Sequence, residues 1–224
     1  MSLDWQALRL SLELAAATTA ILTALGLPLA YWLATTTWRG RVAVEALTAL
    51  PLVLPPTVLG FYVLFALGPR SPLGRAWEAV TGAPLAFSFE GILLASVLSS
   101  LPFAVQPFAA AFARVDRRLV EASWSLGASR VATFFRVVLP LSRAGVVSGM
   151  VLTFAHTVGE FGVILMVGGN VPGRTRTVSI AIYDHVQALD YEAAARTSAL
   201  LLSFSFAVLV VTYALQPRAR AARA

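Results

Sequence analysis

The chain has 224 residues, 58% of them apolar and 12% charged, where soluble domains run near ~25% charged. One soluble core of this size cannot hide that much apolar surface, so part of the solvent is lipid, and at ~20 residues per crossing there is room for about five spanning helices. The net charge of +6 is made wholly of Arg. Without Lys there is no P-loop, so the chain is not itself a P-loop ATPase, and without Cys there is no disulfide, thiolate metal site or cysteine nucleophile.

Residues 1–20, MSLDWQALRLSLELAAATTA, make a poor secretory signal: Asp4 and Glu13 interrupt them and no basic stretch leads the apolar run. They read as the start of a retained first helix. Five apolar spans are expected at about 14–36, 44–67, 91–112, 144–167 and 197–215. The second contains Pro51, Pro55 and Pro56. Proline frees backbone acceptors, which a membrane tolerates only where neighbouring protein or a cavity satisfies them. Pro55 and Pro56 are therefore candidate gate or path residues. Pro102 and Pro107 make the same case more weakly in the third span. The 68–90 loop carries turn signals (GPRSPLG) and a short helix around Ala76–Val80. The 168–196 loop opens on the turn cluster GGNVPGRTRT and continues through VSIAIYDHVQAL, which is too short to span and suits the outer interface.

Arg residues set the expected orientation. One set of alternate loops and ends holds eleven (39, 41, 114, 117, 118, 130, 136, 143, 218, 220 and 223) against three acids, Glu45, Asp116 and Glu121. The other holds six (9, 70, 75, 174, 176 and 196) against seven acids. The first set is cytoplasmic by the positive-inside rule, which puts the N-terminus outside and the C-terminus inside. That distribution accounts for the basic charge without nucleic acid.

The cytoplasmic loop of about 113–143 is amphipathic. Asp116 is placed to cap a helix through RRLVEASWSL, with Leu119, Ala122, Ser123 and Leu126 on one face. Gly127 ends it as a residue free to take positive φ. Ser129 caps a second helix, with Val131, Phe134, Phe135 and Val138 on one face, and Pro140 is expected to stop it before the next span. Periodicity alone fits an interfacial helix pair on lipid headgroups as well as a knob that docks a protein.

Within this loop, Glu121-Ala122-Ser123, three residues, Gly127, nine residues and Val137-Val138-Leu139-Pro140 resemble the EAA signature of ABC importer permeases. Ser123 replaces the usual second Ala and Val137 the usual Ile. The resemblance to molybdate permease subunits extends through PLVLPPTVLGF (51–61) and VGEFGVILMVGGNVPGRTRT (158–177). Sulfate/thiosulfate permeases are similar over the same stretches, and the GEFG run followed by the GN-x-PG-x-T-x-T pattern favours molybdate.

The resemblance implies an all-α, polytopic permease of the type I importer fold, one transmembrane domain over 1–224. Glu121, Ala122, Ser123, Gly127, Leu139 and Pro140 would then belong to a coupling loop seated on a separate ABC ATPase. Two permease copies, two ATPase copies and an extracytoplasmic oxyanion-binding protein complete the expected complex in the inner membrane. This chain is expected to bind no cofactor, the ATP and Mg being used by the partner ATPase.

Glu160 and His156 lie four apart on one face of the fourth span. A carboxylate on an oxyanion path repels its substrate, so Glu160 is read as satisfying freed backbone donors or pairing with an Arg. With Phe161 and Gly162 it is a candidate gate or path residue. Two His and no Cys supply a metal site poorly. Asn170, Arg174 and Arg176 are candidates for the outer mouth, either meeting an anion or docking the binding protein. An intramembrane hydrolase using Ser148 and His156 fails on geometry, since at ~1.5 Å rise per residue their Cα atoms lie about 12 Å apart. A channel or ion-driven carrier needs no knob for an ATPase. No catalytic residue is assigned.

Overall fold

Asp4 accepts a hydrogen bond from the Ala7 N–H at 2.9 Å and starts helix α1, Trp5–Thr35. The computed structural model describes residues 4–215; Arg218, Arg220 and Arg223, used above for orientation, lie outside them. After α1 come α2 (Arg41–Val53), α3 (Pro56–Leu67), α4 (Pro72–Thr81), α5 (Phe89–Ala113) and α6 (Arg117–Ser125). Then follow α7 (Arg130–Thr133), a π-helical turn (Phe134–Val138), α8 (Leu139–Gly159), α9 (Gly162–Gly168), α10 (Val178–Gln187) and α11 (Tyr191–Leu215). There is no strand among the described residues.

Among the described residues four helices are long and apolar enough to cross a membrane: Trp5–Thr35, Phe89–Ala113, Arg130–Gly159 and Tyr191–Ala214. The expected 44–67 span is instead two helices, α2 and α3, bent by 112°. Leu54 is extended (ψ 135°) because the residue before a proline is driven out of the helical region. Val44 on α2 packs near Phe108 and Phe112, at the end of the bundle where α6 and α7 project as a knob. Val63 and Leu67 on α3 pack with Leu85 and Val167 at the far end. Counted as one broken span the bent pair is a fifth crossing; its length and composition fit a re-entrant pair equally.

Two further expectations are corrected. The fourth span begins at Arg130 and ends at Gly159, not 144–167, and α9 is a separate short helix. Pro140 does not stop a helix. The π turn re-registers the ladder, with the Leu139 N–H donating to the Phe134 carbonyl five residues back, and the helix runs through. A π turn gives the proline ring room that the α ladder denies it.

Helices α1, α5 and α8 form the centre, around the fully buried Phe108 with Leu22, Ala30, Val105 and Val138. At the far end Leu14, Ile92, Ile164 and Ile180 join α1, α5, α9 and α10. Lipid tails are as apolar as Leu, so close packing rather than water exclusion holds spanning helices together. The α5–α8 crossing shows this: a Cβ on Gly145 would lie 2.4 Å from the Ala111 Cβ.

Candidate functional site

The knob is built by local capping. The Asp116 carboxylate accepts from the Arg118 N–H at 2.9 Å, and Ser129 Oγ accepts from the Ala132 N–H at 3.2 Å. Between the two helices Gly127 sits at φ +84°. The Ala128 N–H donates to the Ser123 carbonyl (3.1 Å) and the Gly127 N–H to the Trp124 carbonyl (2.9 Å). That pair of bonds is a Schellman closure with glycine in the left-handed position. Ser123 Oγ and Thr133 Oγ1, 3.0 Å apart, tie the two helices together. The Arg130 guanidinium lies 5.8 Å from the centre of the Trp124 ring.

No residue of α6 is buried. Leu126 is 88% exposed, and Leu119, Val131 and Phe135 are exposed as well. Leu119, Ala122, Ser123, Leu126, Arg136 and Val137 line a cleft beside Gly127. Glu121 is paired with Arg117 at 2.7 Å on the exposed side of α6. Leu139 and Pro140 lie where the π turn passes into α8. The knob therefore shares one helix, Arg130–Gly159, with the fourth span, about 45 Å of continuous rod at ~1.5 Å per residue.

That rod ends where two chain interruptions meet. Glu160 is extended (ψ 133°) between α8 and α9, and Pro55 is extended (ψ 136°) before α3. A Cβ on Gly162 would lie 2.7 Å from the Pro56 Cβ, so only glycine admits this approach. Pro55, Pro56, Glu160, Phe161 and Gly162, more than a hundred residues apart along the chain, are thus brought to one junction. Glu160 Oε1 accepts from the Val163 N–H at 3.1 Å and caps α9. The freed-donor expectation matches that bond, while the partner of its other oxygen is His156 at 3.4 Å and not an Arg.

Beyond the junction the Val171 carbonyl accepts from the N–H groups of Arg174, Thr175 and Arg176 at 2.9–3.1 Å, folding residues 170–176 into a tight turn. Arg176 is held between Asp184 (3.0 Å) and Asp4 (3.7 Å), and Asn170 Nδ2 donates to Asp184 Oδ2 at 2.6 Å. With two carboxylates beside it, Arg176 is not placed to receive an anion. Arg174 is exposed. Sequence reasoning missed Ser100 and Phe103, which meet His156 from α5, and the acids Asp4 and Asp184 around Arg176. Neither contact leaves a periodicity that a single sequence displays.

The family described as binding-protein-dependent transport system inner membrane component matches residues 26–221. The chain is similar to the molybdenum transport system permease protein ModB of Azotobacter vinelandii, 49% identical over 210 residues, which cover 94% of this chain and 93% of that one. The protein of the same name from Escherichia coli (strain K12) is 34% identical over 93% of this chain and 92% of the relative. In fold the chain resembles a chain of a bacterial alginate ABC transporter solved in complex with an alginate pentasaccharide-bound periplasmic protein. The TM-score is 0.75 at 16% identity, over 95% of this chain and 78% of that one.

Proposed function

This chain belongs to the family of binding-protein-dependent transport system inner membrane components, and from that membership we propose that it is the permease subunit of an ATP-driven importer of molybdate and tungstate. The observation that carries the substrate is the 49% identity to a molybdenum permease over nearly the whole of both chains. Two copies of this chain line one path, and each knob seats on one copy of a separate ATPase, which uses the ATP and Mg. An extracytoplasmic protein delivers the oxyanion.

The apolar residues left exposed on the knob, Leu119, Leu126, Val131 and Phe135, are the surface the ATPase covers. Its movement is passed along the Arg130–Gly159 rod to the junction of Pro55, Pro56, Glu160, Phe161 and Gly162, the gate of the path. Glu160 lines no anion site, since both its oxygens are engaged and its charge repels an oxyanion. Asn170 and Arg174, on the turn at the far end, face the binding protein.

The substrate is tested by uptake of labelled molybdate. Excess tungstate is expected to block uptake at concentrations where excess sulfate leaves most of it, and equal competition by sulfate would assign the chain to sulfate transport.

Orientation is tested with single cysteines, which this cysteine-free chain reports without background. Thr37→Cys and Ser129→Cys are expected to be protected from an impermeant thiol reagent added outside, and Ala83→Cys and Pro172→Cys to be labelled; all four sites are exposed. Labelling of Thr37→Cys and Ala83→Cys from the same side would make the bent pair re-entrant instead of spanning.

A further inference from the structure

At the far end of the rod one carboxylate and the imidazole beside it join three helices. Glu160 Oε1 caps α9 through the Val163 N–H, and Oε2 lies 3.4 Å from His156 Nε2 on α8. His156 Nδ1 lies 3.0 Å from Ser100 Oγ on α5, and Ser100 Oγ lies 2.9 Å from Thr157 Oγ1. The imidazole stacks on Phe103, ring centres 3.9 Å apart and planes 22° apart. With the imidazole proton on Nε2, Nε2–H faces the carboxylate, Ser100 O–H donates to Nδ1, and the Thr157 O–H donates to Ser100 Oγ in place of the Thr153 carbonyl that lies 2.9 Å from it. The Glu160 side chain is 9% exposed. A carboxylate is kept at such a site in a spanning segment only with partners.

We propose that Ser100, His156 and Glu160 form a latch that holds the α8–α9 break in its resting geometry and keeps ATP turnover low until a loaded binding protein docks. All three are positioning residues. The inference rests on reading this chain as an ATP-driven permease, and it adds what sets the coupling. The latch fixes the end of the same helix whose other end is the knob, so the ATPase works against it. Interactions made only in one of two states hold the population there, and removing them shifts it. Glu160→Ala removes the α9 cap and the His156 partner together. Glu160→Gln keeps both contacts: its amide oxygen accepts from the Val163 N–H, and its amide N–H donates to His156 Nε2 once the imidazole carries its proton on Nδ1, facing Ser100 Oγ.

The experiment uses the complete complex of permease, ATPase and binding protein in liposomes, and reads ATP hydrolysis with and without the loaded binding protein. Glu160→Ala is expected to raise hydrolysis without binding protein about tenfold, a shift of about 1.4 kcal/mol, and to reduce stimulation by the loaded protein correspondingly. Glu160→Gln is expected to stay near wild type, with Ser100→Ala and His156→Gln between. A second readout places a single cysteine at Gly159, where an added Cβ meets nothing within 4 Å. Its labelling by an impermeant maleimide is expected to quicken about tenfold when combined with Glu160→Ala.

Wild-type basal hydrolysis and wild-type labelling in Glu160→Ala would overturn the latch. If that variant does not assemble, Ser100→Ala decides, because it deletes a single hydroxyl; an unchanged basal rate there is equally fatal. Neither readout depends on which oxyanion is carried. A wild-type complex that imports no molybdate would sink the substrate reading and leave the latch standing.

Discussion

Gly127→Val is expected to insert and accumulate like the wild-type chain, to lose the ATPase on purification, and to reduce uptake to background. The residue sits at φ +84° and closes the Schellman turn between α6 and α7. A Cβ there meets nothing within 4 Å, so the cost is not a clash within the chain but the left-handed backbone itself. That cost is about 1–2 kcal/mol for an ordinary L-residue, and a β-branched side chain is a still poorer occupant. Relaxing the turn swings α6 away from the Ser123–Thr133 bond and misplaces Leu119 and Leu126, the exposed apolar residues of the proposed ATPase-docking surface. With ~1–3 kcal/mol more for overpacking in the partner's groove, docking weakens roughly tenfold to a thousandfold. Gly127→Asn, which tolerates the left-handed region, is expected to retain much of the binding. Co-purification of the ATPase with each variant checks this, and full retention by Gly127→Val would remove the coupling role from the loop.

Gly145→Leu is expected to destabilise the permease itself and leave the knob intact. A Cβ on Gly145 lies 2.4 Å from the Ala111 Cβ, and Ala111 sits on α5 beside the Ser142–Ala111 hydrogen bond of 3.3 Å. Neither helix can yield without opening the Phe108 core between them. Overpacking of a close-packed crossing costs ~1–3 kcal/mol, which at this chain length lowers Tm by roughly 2–12 °C. Thermal unfolding in detergent measures it. Gly145→Ala is expected to lower Tm in the same direction, and combining it with Ala111→Gly, which moves the methyl group to the other helix, to restore most of that loss. An unchanged Tm in Gly145→Leu would mean the two helices do not cross this closely in the membrane.

The knob was the most legible part of the chain because its determinants are local. Asp116, Gly127 and Ser129 each act on backbone within a few residues, and all three adopt the capping or turn geometry their side chains favour. Pro55 and Pro56 signalled an interruption, but not a 112° bend, which depends on what α3 packs against. Pro140 misled because its effect on a helix assumes an α ladder, and the π turn at Phe134–Val138 supplies a different one. The break at Glu160 was hidden inside a continuous apolar run. His156 and Glu160 were readable as neighbours at helical spacing, whereas Ser100 lies 56 residues from His156 and meets it only through tertiary packing. The arginines of the far-end turn fit either an anion site or a docking loop in the sequence, and Asp4 and Asp184 beside Arg176 rule out the first for that residue.

The most direct measurement of the central claim is oxyanion accumulation by liposomes holding this chain, its ATPase and the binding protein, with ATP enclosed with the ATPase. Molybdate is expected to rise above its outside concentration, and to stop rising when ATP, the ATPase or the binding protein is left out. Equal accumulation without ATP or without the ATPase would contradict the account and make the chain a channel or an ion-driven carrier.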